Sequence, residues 1–273
     1  MSTKIRLMLI AFMLFFSVVA VRPAHCSEKI ILTSQNMFRL DDVVNDQMAD
    51  DFINKVLTYK EKTMYVYIYS PGGSVNSGLR MISAMHGHPE INFICIADVA
   101  ISMAFNFLQY CPTRIVMEHS QLMSHNISGA FRGELPRVES DMTPILSTAR
   151  TLNKNAAKRM KIPVEKYEAL INNQLWLDAA LSLKMHAADI LNDRVSCAED
   201  LLVPETVIRE VNNGGQTIQF KVTRSACPLL TNIISAAPIL PESTEPAPAG
   251  TVPFIVPAPS SEGAQPTDDI SVI

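Results

Sequence analysis

From Ile30 onward, short apolar runs alternate with amphipathic stretches of helical period, and this alternation restricts the chain to a layered α/β fold. Ile30 to Leu32 reads as a strand. Val43 to Leu57 reads as a helix, because Val44, Met48, Phe52 and Val56 recur every four residues. Met64 to Tyr69 reads as the next strand, with Met64, Val66 and Ile68 on one face. Ser70-Pro71-Gly72-Gly73 then forces a turn, and Val75, Leu79, Ile82 and Met85 set the stripe of a second helix. Ile91 to Ala97 is a further apolar strand, and a helix begins near Ser102. Ile115 to Met117 and Leu122 to Met123 are two short strand candidates. Pro136 to Lys161 reads as a long, mostly polar helix that Pro144 should kink or start. Val164 to Ile171 and Ala179 to Ala187 read as shorter helices.

Beyond Asp189 the pattern changes. Thr206 to Val211, then Asn212-Asn213-Gly214-Gly215, then Gln216 to Val222 reads as a β-hairpin. From Pro238 on, 8 of the 17 prolines fall among Ala, Ser and Thr, a composition that cannot bury enough apolar surface to order itself. The expected organisation is a signal segment over 1–26, an α/β domain over 27–195, an extension with a hairpin over 196–235 and a disordered tail over 236–273.

The first residues bear on the compartment. Lys4 and Arg6 precede an apolar run, Leu7 to Val21, broken only by Ser17 and followed by small residues. That is the pattern of a secretory signal peptide, and at about 15 residues the run falls short of the ~20 needed to span a bilayer. An uncleaved anchor is the alternative, and cleavage after Ala20, Ala24 or Cys26 is left open. The expected location is therefore periplasmic or secreted. Losing residues 1–26 removes Lys4, Arg6 and Arg22 and no acid, taking the formal charge from −4 to −7. So acidic a chain argues against a nucleic-acid partner, which requires a basic face. Export permits disulfides. Cys197 and Cys227 flank the hairpin and are the first choice of pair, while Cys95, inside an apolar strand, reads as a buried thiol. With no CxxC and no zinc-type spacing, neither a metal nor a cofactor is expected.

Three segments carry chemistry. In Ser70-Pro71-Gly72-Gly73-Ser74, at a strand exit, glycine would let the Gly73 N–H approach a substrate carbonyl, though glycine pairs also simply make turns. In Ala100-Ile101-Ser102-Met103-Ala104 a strand runs into a helix, so the Ser102 hydroxyl falls where free N–H groups favour negative charge. Serine there is equally a common N-cap. In Met123-Ser124-His125-Asn126 a neutral imidazole could take a proton from Ser102 and return it to a leaving amine. An isolated histidine more often serves packing or the surface.

Taken in order, Ser-Pro-Gly-Gly, an apolar strand, Ala-x-Ser-Met, Leu-Met-x-His and a long helix resemble the proteolytic subunit of Clp proteases over about Ile30 to Leu191. The resemblance implies the ClpP/crotonase-like fold of stacked β-α units with a protruding long helix. It implies Ser102 as nucleophile, His125 as base, and the N–H groups of Gly73 and Met103 as oxyanion hole, with Gly72, Ser74 and Asn126 lining the substrate. The family's third catalytic member is an aspartate before an aromatic-leucine pair, here Trp176-Leu177. Gln174 holds that position, preceded by Asn173, and either amide could orient the imidazole without supplying charge. Asp178 could serve only if its loop deviates. The implied activity is serine-type endopeptidase, attenuated by the missing aspartate. The implied partners are a peptide or unfolded protein and further copies in a ring, with no ATPase, because an exported chain meets no cytoplasmic unfoldase. A catalytically inactive peptide-binding or scaffold protein is the alternative.

Overall fold

The structure, a computed structural model, describes residues 28–129, 132–213, 216–230 and 233–238. The expected signal segment and most of the expected tail lie outside the described residues. The centre is a six-stranded sheet. Its strands run in the order β2 (Met37–Leu40), β3 (Thr63–Ser70), β4 (Asn92–Ile101), β5 (Thr113–Ser124) and β6 (Leu175–Asp178), with β7 (Ile190–Leu191) also paired to β5. All pairs are parallel except β5–β6. The crossovers are α1 (Asp46–Thr58), α2 (Val75–Gly87) and α3 (Met103–Tyr110), and after β5 come α4 (Leu135–Arg159), α5 (Val164–Ile171) and α6 (Ala179–Lys184).

The sheet is apolar on both faces, as a parallel sheet must be. Met64, Val66 and Ile68 face the helical layer, where they pack with Phe52, Met81 and Phe107. Tyr67, Ile96 and Ile115 point the other way, into a smaller cluster with Ile30, Leu32, Leu201 and Cys227. That second face is closed by β1 (Ile30–Leu32) paired in parallel with β8 (Val195–Cys197), and by the residues that follow. These are a short 3-10 turn, Glu199–Leu201, and an antiparallel sheet of β9 (Pro204–Asn213), β10 (Gln216–Ser225) and β11 (Ile233–Pro238). The expected hairpin thus supplies two strands of a three-stranded unit with β10 at its centre, and β11 runs across the expected start of the tail.

Several elements depart from the sequence reading for identifiable reasons. Helix α1 begins at Asp46 rather than Val43, because Asn45 caps it by accepting the Met48 N–H at 2.9 Å. Val44 is apolar because it is buried against the turn at Gly73, not because it is helical. The two strand candidates around residue 118 are one strand. Ser120 bridges its irregular middle, its Oγ accepting the Met117 N–H at 2.7 Å and donating to the Ala97 carbonyl at 2.6 Å. Pro144 lies inside α4 and does not start it. The first turns of α4 are exposed or half-buried and its first fully buried residue is Leu152, so the helix protrudes. Helix α6 ends at Lys184, short of the expected Ala187.

Cys197 and Cys227 are bridged, with Cα atoms 5.9 Å apart. Cys95 is not a free thiol: it is bridged to Cys111, at the C-cap of α3, with Cα atoms 6.0 Å apart. The apolar pattern that suggested a buried thiol holds, since both sulfurs are enclosed, but the end of α3 folds back over β4. This bond closes the segment that carries Ser102. Chain-entropy arguments assign about 3 kcal/mol to a loop of this length. Cys95→Ala/Cys111→Ala is therefore expected to lower the urea-unfolding free energy by roughly that amount, and an unchanged midpoint would contradict it.

Candidate active site

Three neighbouring parallel strands deliver the three chemical segments to one edge of the sheet. Ser70 at the end of β3 pairs with Ala100 of β4, and Ile101 pairs with Met123 of β5. The next residues of each strand are therefore Pro71-Gly72-Gly73, Ser102 and His125. Ligands bind at the carboxyl ends of parallel strands because the chain turns away there and leaves backbone groups exposed.

Ser102 sits at a sharp strand-to-helix turn with φ of 57° and ψ of −119°. Its N–H still donates to the Met123 carbonyl at 2.9 Å, as though β4 continued, while its carbonyl already accepts the Asn106 N–H of α3. Non-glycine residues held at positive φ cost on the order of 1–3 kcal/mol and cluster at functional sites. Ser102 makes no side-chain cap, so the ordinary N-cap account of a serine here does not apply. Instead its Oγ lies 2.7 Å from His125 Nε2. Both side chains are partly open to solvent.

His125 is fixed from behind. The preceding Ser124 is buried, and its Oγ shares a 2.6 Å hydrogen bond with the Tyr167 hydroxyl of α5. Burial pushes the Tyr167 phenol up to about 12, against the opposing pull of that hydrogen bond, so it stays neutral and serves as an anchor. Nothing in the sequence links Tyr167 to the site, because the contact spans 43 residues.

The glycine turn packs directly on the serine turn. A Cβ on Gly72, whose φ is 89°, would stand 2.5 Å from the Ile101 carbonyl oxygen and 2.8 Å from the Met103 nitrogen. Gly73 forms a parallel bridge with Val44, in which the Val44 N–H donates to Gly72 O at 2.8 Å and the Ser74 N–H donates to Val44 O at 2.7 Å. In such a bridge the central residue's own N–H points to the opposite side, so the Gly73 N–H is turned away from Val44. Met103 is the first residue of α3, and its N–H has no intrahelical acceptor. The two donors stand on adjacent turns beside the Ser102–His125 pair. A hydroxyl, an adjoining base and two backbone donors are the parts that acyl transfer requires.

The remaining candidates are placed as follows. The Ser74 hydroxyl caps α2, accepting the Ser77 N–H at 3.2 Å. The Asn126 amide donates to Asn172 Oδ1 at 2.9 Å, tying the loop after His125 to the loop before β6. The antiparallel register pairs Gln121 with Asp178 and Ser124 with Leu175, so one further step sets Gln174 across from His125. Gln174 has φ of 59°, and its Oε1 accepts the Trp176 indole N–H at 3.3 Å. Asn173 is exposed in the same loop. Asp178 is at the far end of β6, where its Oδ1 caps α6 by accepting the Leu181 N–H at 2.7 Å. Among the described residues the ring of His125 has one hydrogen-bond partner, Ser102, and no group of acids, histidines or cysteines could hold a metal ion.

A mixed sheet flanked by crossover helices, with a serine turn, a histidine and a glycine turn brought together on one edge, is the arrangement of a ClpP-like fold. The Clp protease family model matches residues 25–189, which span the whole of this site. The chain therefore belongs to the Clp protease family, a family of peptidases.

Proposed function

We propose that this protein is an exported serine-type endopeptidase, periplasmic or secreted, that hydrolyses peptides or unfolded proteins without an ATPase and works as a homo-oligomeric ring. The observation that carries the chemistry is the 2.7 Å contact between Ser102 Oγ and His125 Nε2 at a residue held with positive φ. His125 takes the Ser102 proton as Oγ attacks the scissile carbonyl, and the Gly73 and Met103 N–H groups receive the developing oxyanion. The imidazolium then protonates the leaving amine, and water repeats the sequence on the acyl-enzyme. Gly72 keeps the two turns in contact, while Ser74, Asn126, Asn173 and Gln174 border the cleft. The N-terminal charge and apolar pattern supports export.

A second reading is favoured by one observation. Gln174 supplies no charge opposite His125, and its oxygen is engaged by Trp176. An inactive ring or peptide-binding scaffold would tolerate that.

The test is covalent labelling of the mature chain with a fluorophosphonate, located by peptide mass spectrometry. Labelling confined to Ser102, and lost in both Ser102→Ala and His125→Ala, is the expected result. A folded wild-type chain that takes no label would overturn the peptidase reading in favour of the scaffold.

A further inference from the structure

The family match ends at residue 189, yet the chain continues through β8 and the β9–β10–β11 sheet, and this added unit is wired to the glycine turn. The connection runs through three arginines. Arg39 on β2 donates to Glu205 at 2.9 Å and to the carbonyls of Ser225 and Ala226 at 2.8 and 3.0 Å, and its other nitrogen meets Asp41 at 2.6 Å. Arg224 of β10 joins Asp41 to Glu205, and Arg209 of β9 pairs with Asp42. The Asp41 carboxylate is only 10% exposed, so it needs these cations beside it. The Cys197–Cys227 disulfide closes the unit covalently.

The acids these arginines grip sit on the segment that holds the glycine turn in place. The Asp42 carbonyl accepts the Ser70 hydroxyl at 2.6 Å, and two residues later Val44 forms both bridge hydrogen bonds around Gly73. The packing there leaves no slack, because a Cβ on Gly73 would come within 2.4 Å of the Val44 carbonyl oxygen. A shift of the 41–44 segment is thus passed directly to the Gly73 N–H.

Resting on the peptidase reading above, we infer that the C-terminal sheet is a clamp that positions the oxyanion-binding turn, with Arg209 and Arg224 as positioning residues acting through Asp41, Asp42 and Val44. Neither arginine touches the reacting atoms. Their contribution is to set the Gly73 N–H, where displacements of about 1 Å cost on the order of 10²-fold in rate.

The test compares wild type, Arg209→Ala, Asp42→Ala and the double variant in the full mature chain. The readouts are the second-order rate of fluorophosphonate labelling at Ser102 and hydrogen exchange in peptides covering 42–46 and 70–75. Each single variant is expected to slow labelling about 10- to 100-fold and speed exchange in both peptides, with the thermal midpoint little changed. The double variant is expected to match Arg209→Ala, since that change already removes the Asp42 pair together with the longer approaches of Arg209 to Asp41; two independent structural losses would multiply instead. Asp42 has a 41% exposed side chain, so Asp42→Ala carries the test should Arg209→Ala not fold. Wild-type labelling and exchange in Asp42→Ala, or multiplying losses in the double, would overturn the clamp. If wild type itself takes no label the peptidase reading fails, and the exchange data alone still decide whether the sheet holds the turn.

Discussion

Gln174→Asp is expected to raise both Ser102 labelling and peptide turnover by about 10²-fold or more. In serine hydrolases, exchanging the charged third member for an amide costs about 10⁴ in kcat, because the carboxylate fixes the tautomer and stabilises the imidazolium. Here the β5–β6 register sets residue 174 one step beyond the Ser124–Leu175 pair, across from His125. The backbone suits the change. Gln174 has φ of 59°, a conformation that aspartate enters more readily than glutamine. The contact given up is a 3.3 Å bond to an exposed indole, a small loss. Full recovery is not expected, since an exposed carboxylate is screened by water. The measurement is kcat/KM on an unstructured fluorogenic peptide, with Ser102→Ala/Gln174→Asp as the blank. An unchanged rate would mean that the loop before β6 does not deliver its side chain to the imidazole.

Gly72→Ala is expected to abolish labelling at Ser102, a loss of about 10²-fold at least, while most of the fold persists. Three of the constraints at Gly72 are backbone. Its φ of 89° lies where side chains are disfavoured, and the added Cβ would meet Ile101 O at 2.5 Å and Met103 N at 2.8 Å. No side chain can swing aside to relieve these contacts. Relief must come from separating the glycine turn from the serine turn, which parts the Gly73 donor from the Met103 donor. Loss of one such donor costs about 10²–10³ in kcat elsewhere. Gly87→Ala is the control, because a Cβ there meets nothing within 4 Å. It should label at the wild-type rate, and equal behaviour of the two variants would remove the steric argument.

The proposed clamp and Gln174 bear on opposite sides of the Ser102–His125 pair. In the proposed clamp, a C-terminal sheet stapled by Cys197–Cys227 would support the oxyanion side. An amide stands where charge would support the imidazole side.

The local grammar of the chain determined the elements that carry the chemistry. Strand, glycine turn and helix around Gly72, strand and helix around Ser102, and the strand before His125 are each specified by fewer than about fifteen consecutive residues, because apolar period and turn residues act over that range. The hairpin of β9 and β10 was legible for the same reason. What no local pattern carries is pairing. Val43 and Val44 read as helix because their spacing fits one, and only the bridge to Gly73 shows that burial beside a turn, not helical period, made Val44 apolar. Cys95 read as a lone buried thiol until the end of α3 brought Cys111 within reach. The short strand β6 carries no period of its own, yet its register places Gln174 near His125 and sends Asp178 to cap a helix. Strained φ at Ser102, the Tyr167 anchor and the arginine clamp likewise depend on contacts between segments 20 to 190 residues apart, whose energies exist only once the sheet has assembled.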